Sequence, residues 1–254
     1  MIEDLKGRRV LVTGSSTGIG AAVAAGFAAN RARVIVHYNR SKAEADAVVA
    51  AIREAGGEAG AARAAVAPTA EAERLVAESA RLLGGLDVLV NNAGALIKRA
   101  PLAEVDDALY DQVLDTNVRS VVMVSKAARP HLKAAGAGVI VNVSSIAARN
   151  GGGPGAGLYA GAKAFVLNYT RNLAKELAPD NIRVNGVSPG VIMTPFHERF
   201  SSAEFIEAQR KTIPMQRIGV PADAVGVFLF LASNAMSGYV NGQTIELNGG
   251  QYMP

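Results

Sequence analysis

The chain has 254 residues, 50% hydrophobic and 19% charged, enough apolar content to bury one sizeable α/β core or at most two small ones, and a globular rather than disordered composition. No cysteine is present, which excludes disulfides and thiolate chemistry, and His37, His131 and His197 stand too far apart for a local metal motif. The net charge of +4 comes from Lys and Arg interleaved with acids, with only 5% aromatic residues and no tryptophan, so nucleic-acid binding lacks both a basic stripe and stacking platforms.

The opening MIEDLKGRRV has no apolar signal-peptide core, and the longest apolar runs, such as VGVFLFLA, are far too short to span a bilayer. A cytoplasmic protein without a membrane partner is expected. Along the chain, short Val- and Ile-rich runs alternate with Ala-rich segments of helical period, the pattern of a parallel sheet covered on both faces. The first strand, RRVLVT (8–13), runs into TGSSTGIG (13–20) and then a helix. Its glycines permit a tight turn and close backbone approach, so Gly14, Ser16, Thr17, Gly18, Ile19 and Gly20 can present amides to a pyrophosphate at the helix N-terminus. The second strand, RVIVHY (33–38), ends in Tyr38, Asn39, Arg40, Ser41 and Lys42. An NAD enzyme usually places an acid there for the adenosine ribose 2′-hydroxyl; two cations and no carboxylate suit a 2′-phosphate instead, or else a solvated turn before a helix.

A weaker strand lies near 58–66, followed by DVLVNN (87–92), GVIVNVSS (138–145), IRVNGVS (182–188) and TIELN (244–248). Together these predict one α/β domain over residues 1–254, a doubly wound seven-stranded parallel sheet with helices on both faces, its ligand outside the carboxyl ends of the strands. Residues 191–220 break the alternation, and Phe196, Phe200, Phe205, Ile206 and Ile213 make them partly apolar: a mobile lid and an ordinary packed excursion fit equally. Between the fifth and sixth strands, LYAGAKAFVLNYT sets Tyr159 and Lys163 four apart, on one face of a helix. Alone, that spacing decides little.

The ordered set TGSSTGIG, NNAG (91–94), Asn117, Ser144-Ser145, Tyr159 with Lys163, and Pro189-Gly190 resembles the classical short-chain dehydrogenase/reductase family from about Leu5 to Gly250. The resemblance implies a Rossmann-type domain, a nicotinamide cofactor, and often a homotetramer built through the helices after strands 4 and 5. Segments 107–135 and 157–178 carry apolar residues on more than one helical face, which accords with such an assembly.

Hydride transfer to a carbonyl leaves an alkoxide-like oxygen that needs a proton. By resemblance Tyr159 supplies it, Lys163 favours the phenolate and holds the nicotinamide ribose, and Asn117 kinks a helix so that its carbonyl and side chain hold a water connected to the lysine. Ser145 is expected to bond the substrate oxygen; Ser144 is its rival, and the spacing of 14 from Ser145 to Tyr159 is one longer than the commonest pattern. Asn91, Ala93 and Gly94 would pass beneath the adenosine ribose. Pro189, Gly190, Val191 and Thr194 would grip the carboxamide. Where most relatives carry an Asp that contacts the adenine amino group, the chain reads Ala64-Ala65-Val66, leaving only the Val66 backbone.

The expected activity is NADP(H)-dependent interconversion of a ketone and a secondary alcohol, with NAD possible and no metal. An NAD-linked sugar or polyol dehydrogenase and a catalytically silent nucleotide-binding regulator are the rivals, the second disfavoured by a complete catalytic set. The chain is similar to 3-oxoacyl-carrier-protein reductases, yet its stretches Lys133 to Gly138 and Pro179 to Asn181 offer little net positive charge to an acidic carrier. Arg129 and Arg171 could compensate. Leu96, Ile97, Ile146 and Phe196 point instead to a free ketone with an apolar portion.

Overall fold

A computed structural model describes residues 1–195 and 202–254. Its strands are β1 (Arg9–Val12), β2 (Arg33–Tyr38), β3 (Glu58–Arg63), β4 (Val88–Asn91), β5 (Gly138–Val143), β6 (Ile182–Pro189) and β7 (Thr244–Leu247). They form one sheet in the order β3-β2-β1-β4-β5-β6-β7, parallel throughout. The order reverses between β1 and β4, and that switch point opens a crevice at the carboxyl ends of the strands.

Strand residues alternate between two apolar layers. Val10, Val12, Val34 and Val36 face α1 (Gly18–Ala29), α2 (Lys42–Glu54) and the helix Pro221–Ala232, whose Phe228 and Leu231 are fully buried. Leu11, Ile35, Leu89 and Ile140 face the other way, toward α3 (Thr69–Leu83), α5 (Ser120–Ala134) and α7 (Gly157–Leu177). The sheet is therefore doubly wound with helices on both faces, as the alternation predicts.

Two strands end two or more residues short of expectation. Strand β3 stops at Arg63 rather than near 66, because its partner β2 ends at Tyr38, to which Arg63 is registered; Ala64 makes one last bond to the Tyr38 carbonyl before the chain turns away. Strand β5 stops at Val143, so Ser144 and Ser145 lie just beyond it, ahead of the short helix α6 (Ala147–Asn150). Within 191–220 the chain forms a helix over Ala203–Thr212, and Ile213 is buried against the body. Phe196 and Phe200 lie outside the described residues. No helix among the described residues is long and apolar enough to cross a membrane.

Candidate active site

The crevice begins at the loop after β1. Gly14 adopts φ +62°, and a Cβ there would lie 2.9 Å from the Ala93 Cα. At Gly20 a Cβ would lie 2.5 Å from both the Asn92 amide nitrogen and the Gly14 carbonyl. Only glycine lets the loop close this tightly on β4. Asn92 completes the closure: its Nδ2 donates to the carbonyls of Thr13 and Gly14, both at 2.9 Å, while its N–H and that of Ala93 donate to Thr13 Oγ1.

On the other flank, the Gly14 N–H donates to His37 Nδ1 at 2.8 Å, and His37 Nε2 lies 3.1 Å from the Ala64 carbonyl. With Nδ1 accepting, the ring proton belongs on Nε2. Burial lowers His37 to about 4 against the opposing pull of its bond to Ala64, so the ring is neutral and the loop is tied to three strands by uncharged bonds.

The second half of the crevice is built where α4 (Asp107–Leu114) meets α5 through a single π-helical turn, Asp115–Arg119. Asn117, fully buried in that turn, donates to the carbonyls of Ala95 and Val113 and accepts from the Ala95 N–H. Its side chain makes all three of these bonds to protein backbone. The widened turn is what remains to offer a carbonyl.

Helix α7 delivers Tyr159 and Lys163 together. Lys163 is 3% exposed; its Nζ donates to the Val143 carbonyl at 2.9 Å and stands 5.8 Å from the centre of the Tyr159 ring. The absence of a side chain at Gly94 seats it, since a Cβ there would fall 2.8 Å from Lys163 Nζ and 2.9 Å from Asn117 Oδ1. Burial pushes Lys163 down to about 8. Tyr159 hydrogen-bonds Ser145, yet burial outweighs that bond and raises its phenol above the ordinary value. This reverses the expected lowering: the ammonium lies across the ring and bonds a carbonyl, so desolvation dominates. Both serines line the cavity, and their hydroxyls have different partners. Ser144 is buried and its hydroxyl donates to the Lys163 carbonyl at 2.8 Å, whereas Ser145 hydrogen-bonds Tyr159.

These parts enclose a cavity of about 370 Å³ that runs from the Gly14–Gly20 loop past Gly94 to Ser145, Tyr159 and Lys163. Pro189, Gly190, Val191 and Thr194 form its floor after β6, and the Thr194 methyl approaches within 3.3 Å of where a Gly18 Cβ would stand.

A family model described as enoyl-(acyl carrier protein) reductase matches residues 14–251. The 3-oxoacyl-carrier-protein reductase of Synechocystis sp. is 38% identical over 96% of both chains. The chain belongs to the short-chain dehydrogenase/reductase family. Among solved structures, an NADH-dependent reductase of alginate metabolism is 41% identical with a TM-score of 0.91, covering 99% of this chain and 100% of its own. A short-chain dehydrogenase from Burkholderia cenocepacia in complex with NADP is 36% identical with a TM-score of 0.90, covering 98% and 99%.

As a short-chain dehydrogenase/reductase the protein is an oxidoreductase. Its cavity gathers Gly14, Thr17, Gly18, Ile19, Gly20, Gly94, Leu96, Ser145, Ile146, Tyr159, Lys163 and the Pro189–Thr194 segment. Ser16, Ala93, Tyr38, Asn39, Arg40, Ser41 and Val66 do not line it; the last five stand at the ends of β2 and β3. Asn91 turns away from it, its amide bonded to Ser125 and to Asn142, so only its backbone can face a nucleotide. Phe196 falls outside the described residues. Sequence reasoning passed over His37, Asn92, Arg99 and Gln209. For Asn92 the signal was available: in NNAG the period of two that buries Asn91 turns its neighbour toward β1.

Proposed function

We propose that the protein is an NADP(H)-dependent reductase of a free ketone, run reversibly with its secondary alcohol, in which Tyr159 is the general acid and base. The observation that carries this reading is the meeting of Ser145, Tyr159 and buried Lys163 in one cavity with a glycine-tight phosphate loop. The loop fits a dinucleotide because the N-cap Thr17 side chain does not take the amides at the start of α1, and the cavity continues from there to Tyr159. A bound reduced nicotinamide supplies the hydride.

The protein's own groups do the rest. Ser145 donates to the carbonyl oxygen and stabilises its developing charge. Tyr159, a phenol protonated at neutral pH and held above its ordinary value by burial, passes its proton to that oxygen. Lys163 and the widened turn at Asn117 are placed to hold ribose hydroxyls and restore the proton. Pro189 to Thr194 hold the carboxamide, and Leu96 and Ile146 keep water from the reacting carbon. Screening NADPH and NADH consumption across ketones, sugars and oxoacyl thioesters tests the whole reading; turnover confined to polyols with NAD overturns it.

Preference for NADP rests on Arg40. Lys42 is engaged with Asp46, while Arg40 is exposed and carries no ion pair among the described residues, which leaves it available to a 2′-phosphate. Arg40→Asp is expected to cut kcat/KM for NADPH by roughly tenfold or more and to narrow or reverse the preference; wild-type efficiency with NADH equal to that with NADPH removes the assignment.

Delivery on an acyl carrier is disfavoured by pairing on the surface. Arg129 and Lys133 both bind Asp180, at 2.8 and 2.7 Å, so one of their two positive charges is answered within the chain. A homotetramer is proposed through α4, α5 and α7, where Tyr110 and Phe165 stay 47% and 42% exposed and Phe165 stacks on Tyr169. Light scattering at micromolar concentration should read four times the mass of the chain, and a monomer overturns it.

A further inference from the structure

Arg99 stands at the substrate end of the cavity, in the loop that also carries buried Leu96. The loop is held in an unusual shape: Ile97, a β-branched residue, adopts φ +67°, which costs energy and persists only where the surroundings enforce it. The Lys98 N–H closes the bend across Ile97 by donating to the Leu96 carbonyl at 2.9 Å, and the loop is fastened to the glycine-rich turn after β5. The Ala100 N–H donates to the Gly155 carbonyl at 3.0 Å, and Arg99 Nη1 donates to the Pro154 carbonyl at 3.2 Å. A Cβ on Gly155 would stand 3.2 Å from that of Arg99, and one on Gly153 would stand 3.4 Å from Nη1, so the turn is shaped around this side chain.

From the opposite side Phe205 lies under the guanidinium, 5.7 Å from its ring centre. A guanidinium resting its face on an aromatic ring keeps its in-plane N–H groups for other partners. One nitrogen is used by Pro154; among the described residues Nε and Nη2 have no acceptor and Arg99 has no ion pair. Among the described residues that line the cavity there is no Asp or Glu, and the neutral amides of Asn150 and Gln209 share its outer part with Arg99. The second cation, Lys163, is buried deeper against the Val143 carbonyl.

Resting on the ketone-reductase reading of this cavity, we infer that the substrate carries a carboxylate and that Arg99 is the residue that selects it. A carboxylate takes two parallel bonds from a guanidinium edge, a match that an ester or an amide cannot reproduce. The apolar residues Leu96, Ile146 and Phe205 then hold the carbon chain between the carboxylate and the ketone. The substrate class is a free oxo acid.

The test pairs oxo acids of three to six carbons with their methyl esters, and measures equilibrium binding to the protein saturated with oxidised nucleotide beside turnover with reduced nucleotide. In the wild type at least one acid is expected to bind about tenfold to a hundredfold more tightly than its ester. Arg99→Gln should bring that acid down to the level of its ester, and Arg99→Lys should retain part of the difference, as a point charge lacking the fork. Equal binding of every acid and ester, no binding of any acid, or a preference that survives Arg99→Gln overturns the inference. Failure of the reductase reading looks different: nucleotide binds, and neither acids nor esters are turned over.

Discussion

Tyr159→Phe is expected to lower turnover by about a hundredfold or more while nucleotide affinity holds, because proton transfer by a positioned side chain contributes on that scale. The substitution removes one oxygen and nothing else. The ring remains on α7, above the Lys163 ammonium, and the phosphate loop, tied to His37 on β2 and to Asn92 just past β4, is untouched. What disappears is the proton source and the bond to Ser145. Steady-state kinetics together with nucleotide titration by fluorescence check both halves; turnover near that of the wild type would falsify the role given to Tyr159.

The largest expected loss of stability lies far from the cavity, at the amino ends of β1 and β4. Asp87 is 8% exposed and takes two bonds from the Arg9 guanidinium, at 2.7 and 2.8 Å, and one from the Arg9 N–H. Burial works to raise its carboxyl, and the bonds from Arg9 outweigh burial and hold it below the ordinary value. Asp87→Ala leaves the guanidinium without its carboxylate and a strand N–H without its acceptor. The cost is about 3 kcal/mol, at the low end for a broken buried pair because Arg9 keeps some contact with water. For a chain of this length that lowers Tm by roughly 6–12 °C. The depressed carboxyl also sets a sign: its contribution is present above the unfolded value and fades as pH falls through the folded one. A melting point within 2 °C of the wild type, a shift of about 1 kcal/mol or less, removes the pair as a stabilising element.

Much of the sheet was legible because its strands are buried on both faces and so read as unbroken Val and Ile runs. Their ends were not, since an end depends on the partner: β3 stops where Tyr38 stops, a fact written in another part of the chain. Ser144 and Ser145 looked equivalent because β5 ends just before them, and with the strand's alternation gone the sequence lost its phase. The direction of the Tyr159 shift was misjudged for a similar reason. Spacing on a helix shows that a lysine is near, and only packing shows how much water both groups have lost. Arg99 belongs to no motif at all; its position is set by Pro154 and Gly155, some fifty residues on.

The burial of Lys163 has a thermodynamic side. Its ammonium titrates at about 8 in the folded chain against 10.5 for the ordinary group, so folding below pH 8 forces a charge into a site that would rather be neutral. The penalty is about 3 kcal/mol at neutral pH. Between the two values the unfolded chain binds the proton more readily than the native one, so this group makes the fold more stable as pH rises from 8 toward 10.5. Lys163→Met, which keeps the length and discards the charge, also leaves the Val143 carbonyl without its donor, so its signature is in the pH dependence: the gain in melting point from pH 8 toward 10.5 should vanish, and a variant that still gains as the wild type does contradicts this account. Burying this charge costs the fold stability, and it does so at the lysine proposed to hold the nicotinamide ribose.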